Sequence, residues 1–259
     1  MSDLHVRQIR AALDKTFRKL MDVSDLAEKP HDERENAFLS RSLAALGLAH
    51  LANISPEDAA AAVTDGYGDN GVDAVYYHPG EKVLYLLQSK WRHDGRGSID
   101  RGEIQKFLKG FKDLINARWE RFPVRLQKRK VQIESALNDA STKIVLVAIH
   151  TGQSGLSDEV KSDLKDALDE MNNPTEIVSS QALRQVDVYS IISQGIGGAP
   201  IRPAGGTVRL GTGAGAVPGI LWPSRCERCS GMVNQVPEPP LRAEPSRLPG
   251  RYAGECQHG

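Results

Sequence analysis

The sequence predicts an α/β domain in which a mixed central sheet of about four strands is flanked by helices. Several segments repeat apolar residues every three or four positions, which is typical of helices that bury one face. Two β-rich segments flank a turn and predict a hairpin. The continuous apolar run 143–149 is typical of a strand covered on both faces.

The amino-terminal half contains three predicted helices and the hairpin. Ser55-Pro56 indicates a helix start, because Ser is a favoured N-cap and Pro suits the first helical position. A glycine-rich acidic segment then leads into the hairpin. The predicted bounds are 4–21, about 32–50 and 57–63 for the helices, and 72–77 and 82–90 for the strands around the turn 78–81.

The following segment continues the alternation of helix and strand. We expect helices at 99–119, 124–137 and 158–171, and strands at 143–149 and near 176–178. Segment 186–192 is compatible with either a last strand or a last helix.

The composition changes abruptly near residue 198. From residue 199 onward there is no Lys and no Asp, and nine of the fourteen prolines fall there. Such a segment buries too little apolar surface to offset its ordering entropy. We therefore expect a domain at 1–198, with its core at about 30–195, and a Pro/Gly/Arg-rich tail at 199–259 that is disordered or the product of a frame shift.

Charge and hydropathy exclude several classes of protein. The formal net charge is zero, so a nucleic-acid partner would have to be met by a local basic patch. No apolar run approaches the ~20 residues that span a bilayer, and the amino terminus lacks the apolar core of a signal peptide. All three cysteines lie in the tail, so the body contains no disulfide. We expect a cytoplasmic protein that does not enter a membrane.

Asp73, Gln88 and Lys90 are predicted to share one face of the hairpin. If Tyr77 pairs with Lys82 across the turn, the antiparallel register and the two-residue period of a strand place all three side chains on the same side. The second strand is otherwise largely apolar, and polar groups on the buried side of a strand need a reason.

Phosphodiester hydrolysis is one such reason. Mg²⁺ takes oxygen ligands and needs only one or two carboxylates besides the substrate phosphate. The bound ion polarises the phosphoryl group and lowers the pKa of the attacking water. A neighbouring lysine can stabilise the charge that develops on the phosphate.

Two segments of this chain resemble the PD-(D/E)XK nuclease core in its glutamine variant: GDNGVDAVY at 68–76 and LLQSKW at 86–91. The resemblance is closest to the amino-terminal domain of abortive-phage-infection (AIPR) proteins and extends to Mrr-like restriction enzymes. The resemblance extends over about 30–195, because the predicted order of helix, hairpin, helix, strand and helix also matches. It implies the restriction-endonuclease-like fold and cleavage of DNA, with Mg²⁺ or Mn²⁺, in phage defence by abortive infection or restriction.

The resemblance also implies roles for individual residues. Asp73 is the metal-binding acid, Gln88 the second ligand and Lys90 the catalytic lysine. Glu35 matches an additional acid on the preceding helix, and either it or Asp69 compensates for the negative charge that Gln88 removes. Two alternatives stay open: Asp69 as a turn residue that bonds its own backbone, and Glu35 as part of an acidic first turn.

A set of basic residues after the hairpin is predicted to contact DNA phosphates. A solvated helix face is the alternative for such runs. The resemblance further implies a homodimer, for which the sequence identifies no surface. The basic candidates are Lys106, Lys109, Arg118, Arg121, Arg125, Lys128 and Arg129.

The sequence thus favours a metal-dependent deoxyribonuclease. The alternative is a catalytically inactive module of the same fold that holds nucleic acid or docks a partner, and Gln88 is the feature that supports it.

Overall fold

The computed structural model describes residues 3–66 and 68–195. The predicted tail at 199–259 lies outside the described residues, as do the three cysteines. Within the described ranges, every helix is too short or too polar to cross a membrane.

Eight α-helices and four strands make up the described part of the chain, together with two short 3-10 turns. The helices are α1 (Asp3–Phe17), α2 (His31–Leu51), α3 (Pro56–Ala61), α4 (Arg101–Ile115), α5 (Val124–Gln127), α6 (Lys130–Asn138), α7 (Asp158–Met171) and α8 (Gln185–Gln194). The strands are β1 (Ala74–His78), β2 (Val83–Lys90), β3 (Lys143–His150) and β4 (Val178–Leu183).

The four strands form one mixed sheet in the order β1-β2-β3-β4. β1 and β2 are antiparallel, whereas β2, β3 and β4 are parallel to one another. Each parallel connection contains helices, as crossovers between parallel strands require. The predicted α/β class with a mixed four-stranded sheet flanked by helices is confirmed.

Two hydrophobic cores cover the two faces of the sheet. Side chains of α1, α2, α3 and α8 pack on one face, and side chains of α4, α5, α6 and α7 pack on the other. β3 contributes to both, with Val147 and Ile149 on the first face and Leu146 and Ala148 on the second. This two-sided burial explains the continuous apolar run of β3.

The hairpin register differs from the predicted one. Tyr77 pairs with Leu84 rather than with Lys82, because Lys82 adopts a φ of 54° and belongs to the turn. The displacement is two residues, which is the side-chain period of a strand, so the same side chains share a face. Residue 73 therefore comes level with Gln88.

Other bounds also differ from the sequence prediction: α1 and α4 each end four residues earlier than expected. The helix expected at 124–137 is divided into α5 and α6, and the break at 128–129 places the guanidinium of Arg129 on the carbonyl of Ala61. The last strand starts at Val178 and extends to Leu183. Segment 186–192, left open between strand and helix, is part of α8.

A glycine lets α4 pack closely against the acidic loop, which we define as residues 65–66 and 68–71. A Cβ atom at Gly110 would lie 2.1 Å from the backbone oxygen of Asn70 and 3.1 Å from Val72 Cγ2. From the other side, Gly71 has a φ of 79°, and a Cβ there would lie 2.7 Å from the backbone nitrogen of Phe107. The backbones of the acidic loop and of α4 are therefore in direct contact at these two glycines.

We predict that Gly110→Ala lowers the free energy of unfolding by about 1–3 kcal/mol, because the added methyl group must displace backbone. The matched control is Gly102→Ala on the same helix, where a Cβ would meet nothing within 4 Å. That variant should equal or exceed the wild-type stability, since Ala is the better helix former. Urea unfolding of both variants measures the difference, and equal stabilities would contradict the close approach.

Candidate metal centre

Asp73 joins three parts of the chain through its backbone. Its amide donates to the carbonyl of Leu87 in β2 at 2.8 Å. Its carbonyl accepts from the amides of Thr64 and Asp65, at 2.8 and 2.9 Å. These bonds fix the start of the acidic loop beside the start of β1.

The carboxylate of Asp73 is buried and bound to the end of β2. Oδ2 accepts from the amide and the hydroxyl of Ser89, at 2.7 and 2.8 Å. The Nε2 of Gln88 donates to the same oxygen at 3.1 Å. Gln88 therefore contacts Asp73 through its amide nitrogen, whereas the metal-ligand role that the resemblance implies would use its amide oxygen.

Asp65, Asp69 and Asp73 form a cluster of carboxylates, each with one oxygen within 4.8 Å of the others. Burial, followed by the charges of Asp65 and Asp69, raises the pKa of Asp73 well above its ordinary value. Burial also raises the pKa of Asp65; Arg41 opposes this rise and Asp69 adds to it. The three carboxylates are thus close together in a site that is poorly solvated.

A buried arginine holds Asp65 in place. Arg41 lies in the middle of α2, is 1% exposed and donates from Nε to Asp65 Oδ2 at 2.9 Å. Its terminal nitrogens bind both oxygens of Asp25 at 2.7 Å. A buried cation of this kind needs such partners, so Arg41 fixes the Asp65 carboxylate to α2.

Asp69 is held from the other side. Its Oδ1 accepts from the amide of Gly71 at 2.8 Å, which is the turn bond that the sequence left as an alternative. The same oxygen pairs with Lys106 Nζ of α4 at 2.6 Å. Asp69 therefore both shapes its turn and belongs to the carboxylate cluster.

Lys90, at the end of β2, pairs with Glu103 in the first turn of α4. The other oxygen of Glu103 accepts from the amide of Asp100, at the N-cap of α4, at 3.2 Å. The position of the Lys90 ammonium is thus tied to the start of α4.

Glu35 lies outside the carboxylate cluster. Its oxygens accept from Arg18 at 2.9 Å and from Arg10 at 3.0 Å, both of them on or next to α1. The hydrogen bond from Arg18 is the main cause that lowers the pKa of Glu35. The structure gives this predicted metal ligand the role of an ion-pair partner between α1 and α2.

The predicted phosphate-binding residues fall into two groups along the chain. Asp113 is buried, and burial alone would raise its pKa, but hydrogen bonds from Asn70, Lys109 and Arg121 hold it below the ordinary range. Asp113 thereby attaches a first group of cations to the acidic loop: Lys109, Arg118 and Arg121, with Lys106 attached through Asp69. The second group is Arg125, Lys128 and Arg129, at and after α5.

Three residues of the site were not assigned a role from the sequence. A charge at Arg41 within the apolar stripe of α2 was a usable signal, because a buried arginine requires acidic partners. Asp65 and Asp69 are spaced four apart, and Asp73 follows four residues later, but a loop has no period from which their meeting could be predicted. Glu103 carried only the signal of a helix start, as the third residue after Asp100.

Comparisons of the chain with protein-family models, with curated proteins and with solved structures find no match.

We predict that Asp73→Asn stabilises the metal-free protein at neutral and alkaline pH. Burial makes the pKa of Asp73 higher in the folded than in the unfolded chain, so wild-type stability falls as the pH rises from the unfolded pKa to the folded pKa, and it returns fully only below the unfolded pKa. The amide keeps an oxygen that can accept the bonds from Ser89.

Chemical unfolding in chelator, at about pH 8 and about pH 5, measures the effect. The variant should be more stable than wild type at the higher pH, and this advantage should be smaller at the lower pH, where Asp73 is protonated in the folded chain. Asp166→Asn, at an exposed position of α7, is the control and should follow wild type. A variant less stable than wild type at the higher pH would contradict the account.

Proposed function

We propose that this domain is a divalent-metal-dependent nuclease that hydrolyses DNA phosphodiester bonds. The observation that carries the proposal is the cluster of Asp65, Asp69 and Asp73 beside Gln88 at the end of the hairpin. The order of hairpin, crossover and two parallel strands is compatible with a restriction-endonuclease-like PD-(D/E)XK fold. A role in phage defence rests on the resemblance of segments 68–76 and 86–91 alone.

The side chains of the cluster suit a hard cation. Three carboxylates and an amide are the oxygen donors that Mg²⁺ and Mn²⁺ take in proteins. The hydrogen bonds described for Asp73 all end on Oδ2, which leaves Oδ1 for a ligand. Burial is the main cause that raises the pKa values of Asp65 and Asp73, and a cation would relieve the repulsion between the carboxylates that adds to it.

Each residue would then have a defined task. The bound ion supplies a polarised phosphoryl group and a more acidic water molecule. The three carboxylates hold it, and Gln88 supports Asp73 or presents its amide oxygen after rotation of the amide group. Lys90 and Lys106 provide positive charge near the phosphate, where charge develops in the transition state.

The distribution of cations supports a nucleic-acid substrate. Lys106 and Lys109 of the first group bond Asp69 and Asn70, and Arg125 of the second group bonds the backbone oxygen of Asp65, so cations of both groups contact the acidic loop. Phosphate contacts of this kind position a strand without reading its sequence. A nucleic-acid backbone bound by cations of both groups would lie close to the cluster.

A second candidate function is a binding module that does not cleave. Lys106 and Arg41 already neutralise part of the charge of Asp69 and Asp65, and Gln88 stands where related enzymes have a carboxylate. These observations favour a site that holds nucleic acid with its own cations and needs no metal.

The test is cleavage of supercoiled plasmid by the full chain with Mg²⁺, with Mn²⁺ and with chelator. We predict metal-dependent nicking, and a loss of at least about a hundredfold in Asp73→Ala and in Lys90→Ala. Asp166→Asn should cleave like wild type. Folding of each variant is checked by circular dichroism.

The outcomes separate the two functions. Salt-sensitive binding of DNA by a folded protein, without nicking in any metal, would support the binding module. Nicking that survives in Asp73→Ala would remove the carboxylate cluster from the mechanism.

A further inference from the structure

A cleft of about 480 Å³ lies beside the acidic loop, between the segment after α1, helix α3 and helix α5. Its volume is within the range of sites that hold small ligands. Three of its lining residues are cations, Arg125, Lys128 and Arg129, and one is an acid, Asp22. The cleft therefore carries an excess of positive charge, although the chain as a whole has none.

The three cations differ in how far they are already neutralised. Arg125 pairs with Asp22 at 2.6 Å and with Asp25 at 3.1 Å. Among the described residues, Arg129 donates to the uncharged carbonyl of Ala61 and forms no ion pair, and burial lowers the pKa of Arg129. Lys128 is exposed and forms no ion pair within the described part of the chain. Two of the three cations thus lack a carboxylate partner in residues 3–66 and 68–195, which leaves positive charge for an anion.

The cleft is connected to the candidate metal centre by direct contacts. Arg125 donates to the backbone oxygen of Asp65 at 3.5 Å. It also shares Asp25 with Arg41, whose guanidinium binds the Asp65 carboxylate. A ligand in the cleft would therefore lie next to the carboxylate cluster and not on a remote surface.

The remaining wall of the cleft is apolar. Leu20, Met21 and Val63 line it, with two alanines of α3. The phosphates of an intact duplex would leave these side chains facing water. A nucleotide splayed out of a strand covers them with its sugar and base while its phosphate meets the cations.

We infer that this cleft binds one nucleotide of a single-stranded segment of the substrate, with the phosphate on Arg125, Lys128 and Arg129 and the sugar and base against Leu20 and Met21. The inference rests on the proposed function for the identity of its ligand. It adds that the protein prefers single-stranded or frayed nucleic acid over a closed duplex.

The test is binding of a labelled single-stranded oligodeoxynucleotide to the full chain, followed by fluorescence anisotropy in chelator. Chelator makes the assay independent of cleavage, so failure of the nuclease proposal and failure of this inference give different results. Wild type should bind the single strand more tightly than the same sequence as a duplex. Inorganic phosphate at the oligonucleotide concentration should not displace it.

Two variants and one control locate the binding. Lys128→Ala should weaken binding and reduce the slope of log affinity against log salt by about 0.7, the value for one phosphate contact on a single strand. Leu20→Ala should weaken single-strand binding and leave duplex binding unchanged. Lys161→Ala removes the same charge from an exposed position of α7, outside the cleft, and should match wild type.

Three results would overturn the inference. The first is a Lys128→Ala variant with the affinity and salt slope of wild type. The second is equal affinity for duplex and single strand, which would mean that the cleft contacts a phosphate but does not bind the sugar and base. The third is no binding by the wild-type protein. Plasmid nicking that persists alongside any of these would show that the nuclease proposal stands without the cleft.

Discussion

The burial of one carboxylate, that of Asp73, is the constraint on which the rest of the site depends. Its backbone ties the acidic loop to the hairpin, and its Oδ2 accepts from the amide and hydroxyl of Ser89 at the end of β2. The same hydroxyl oxygen lies 3.0 Å from the carbonyl oxygen of Ser40 in α2, so its single hydrogen is shared between the two acceptors. A side chain at the edge of the sheet thereby joins the loop, the hairpin and the helix layer behind them.

Opposing charges arranged around that carboxylate hold the neighbouring acids. Arg41 reaches Asp65 from inside α2, and Lys106 reaches Asp69 from α4, so each acid is supported from a different face of the sheet. The glycine at 110 allows α4 to come close enough for this contact. These ion pairs offset part of the repulsion between the three carboxylates, and a divalent cation would neutralise the remaining negative charge.

The sequence predicted the parts of the fold that follow from local periodicity. The hairpin, the apolar strand β3 and helix α7 were predictable because the local spacing of polar and apolar residues indicates which side of each element is buried. The meeting of Asp65 with Asp73, the pairing of Lys90 with Glu103 and the placement of Glu35 against Arg18 depend on loop paths and on helix packing, which no local pattern records. The register was wrong by two residues because the φ of Lys82 was not predictable from its side chain. Arg41 is an unused signal, because a charge among the apolar residues of α2 indicates that acidic partners exist, although it does not identify Asp25 and Asp65.

The most direct test of the central claim is a titration of the full chain with Mn²⁺, followed by electron paramagnetic resonance of the free ion. We predict that wild type binds Mn²⁺, that Mg²⁺ competes for the site, and that Asp69→Asn and Asp73→Asn abolish binding. Glu35→Gln should bind as wild type does, because Glu35 is occupied by Arg10 and Arg18. Binding that persists in both aspartate variants, or that is lost only in Glu35→Gln, would contradict a metal centre built on Asp65, Asp69 and Asp73.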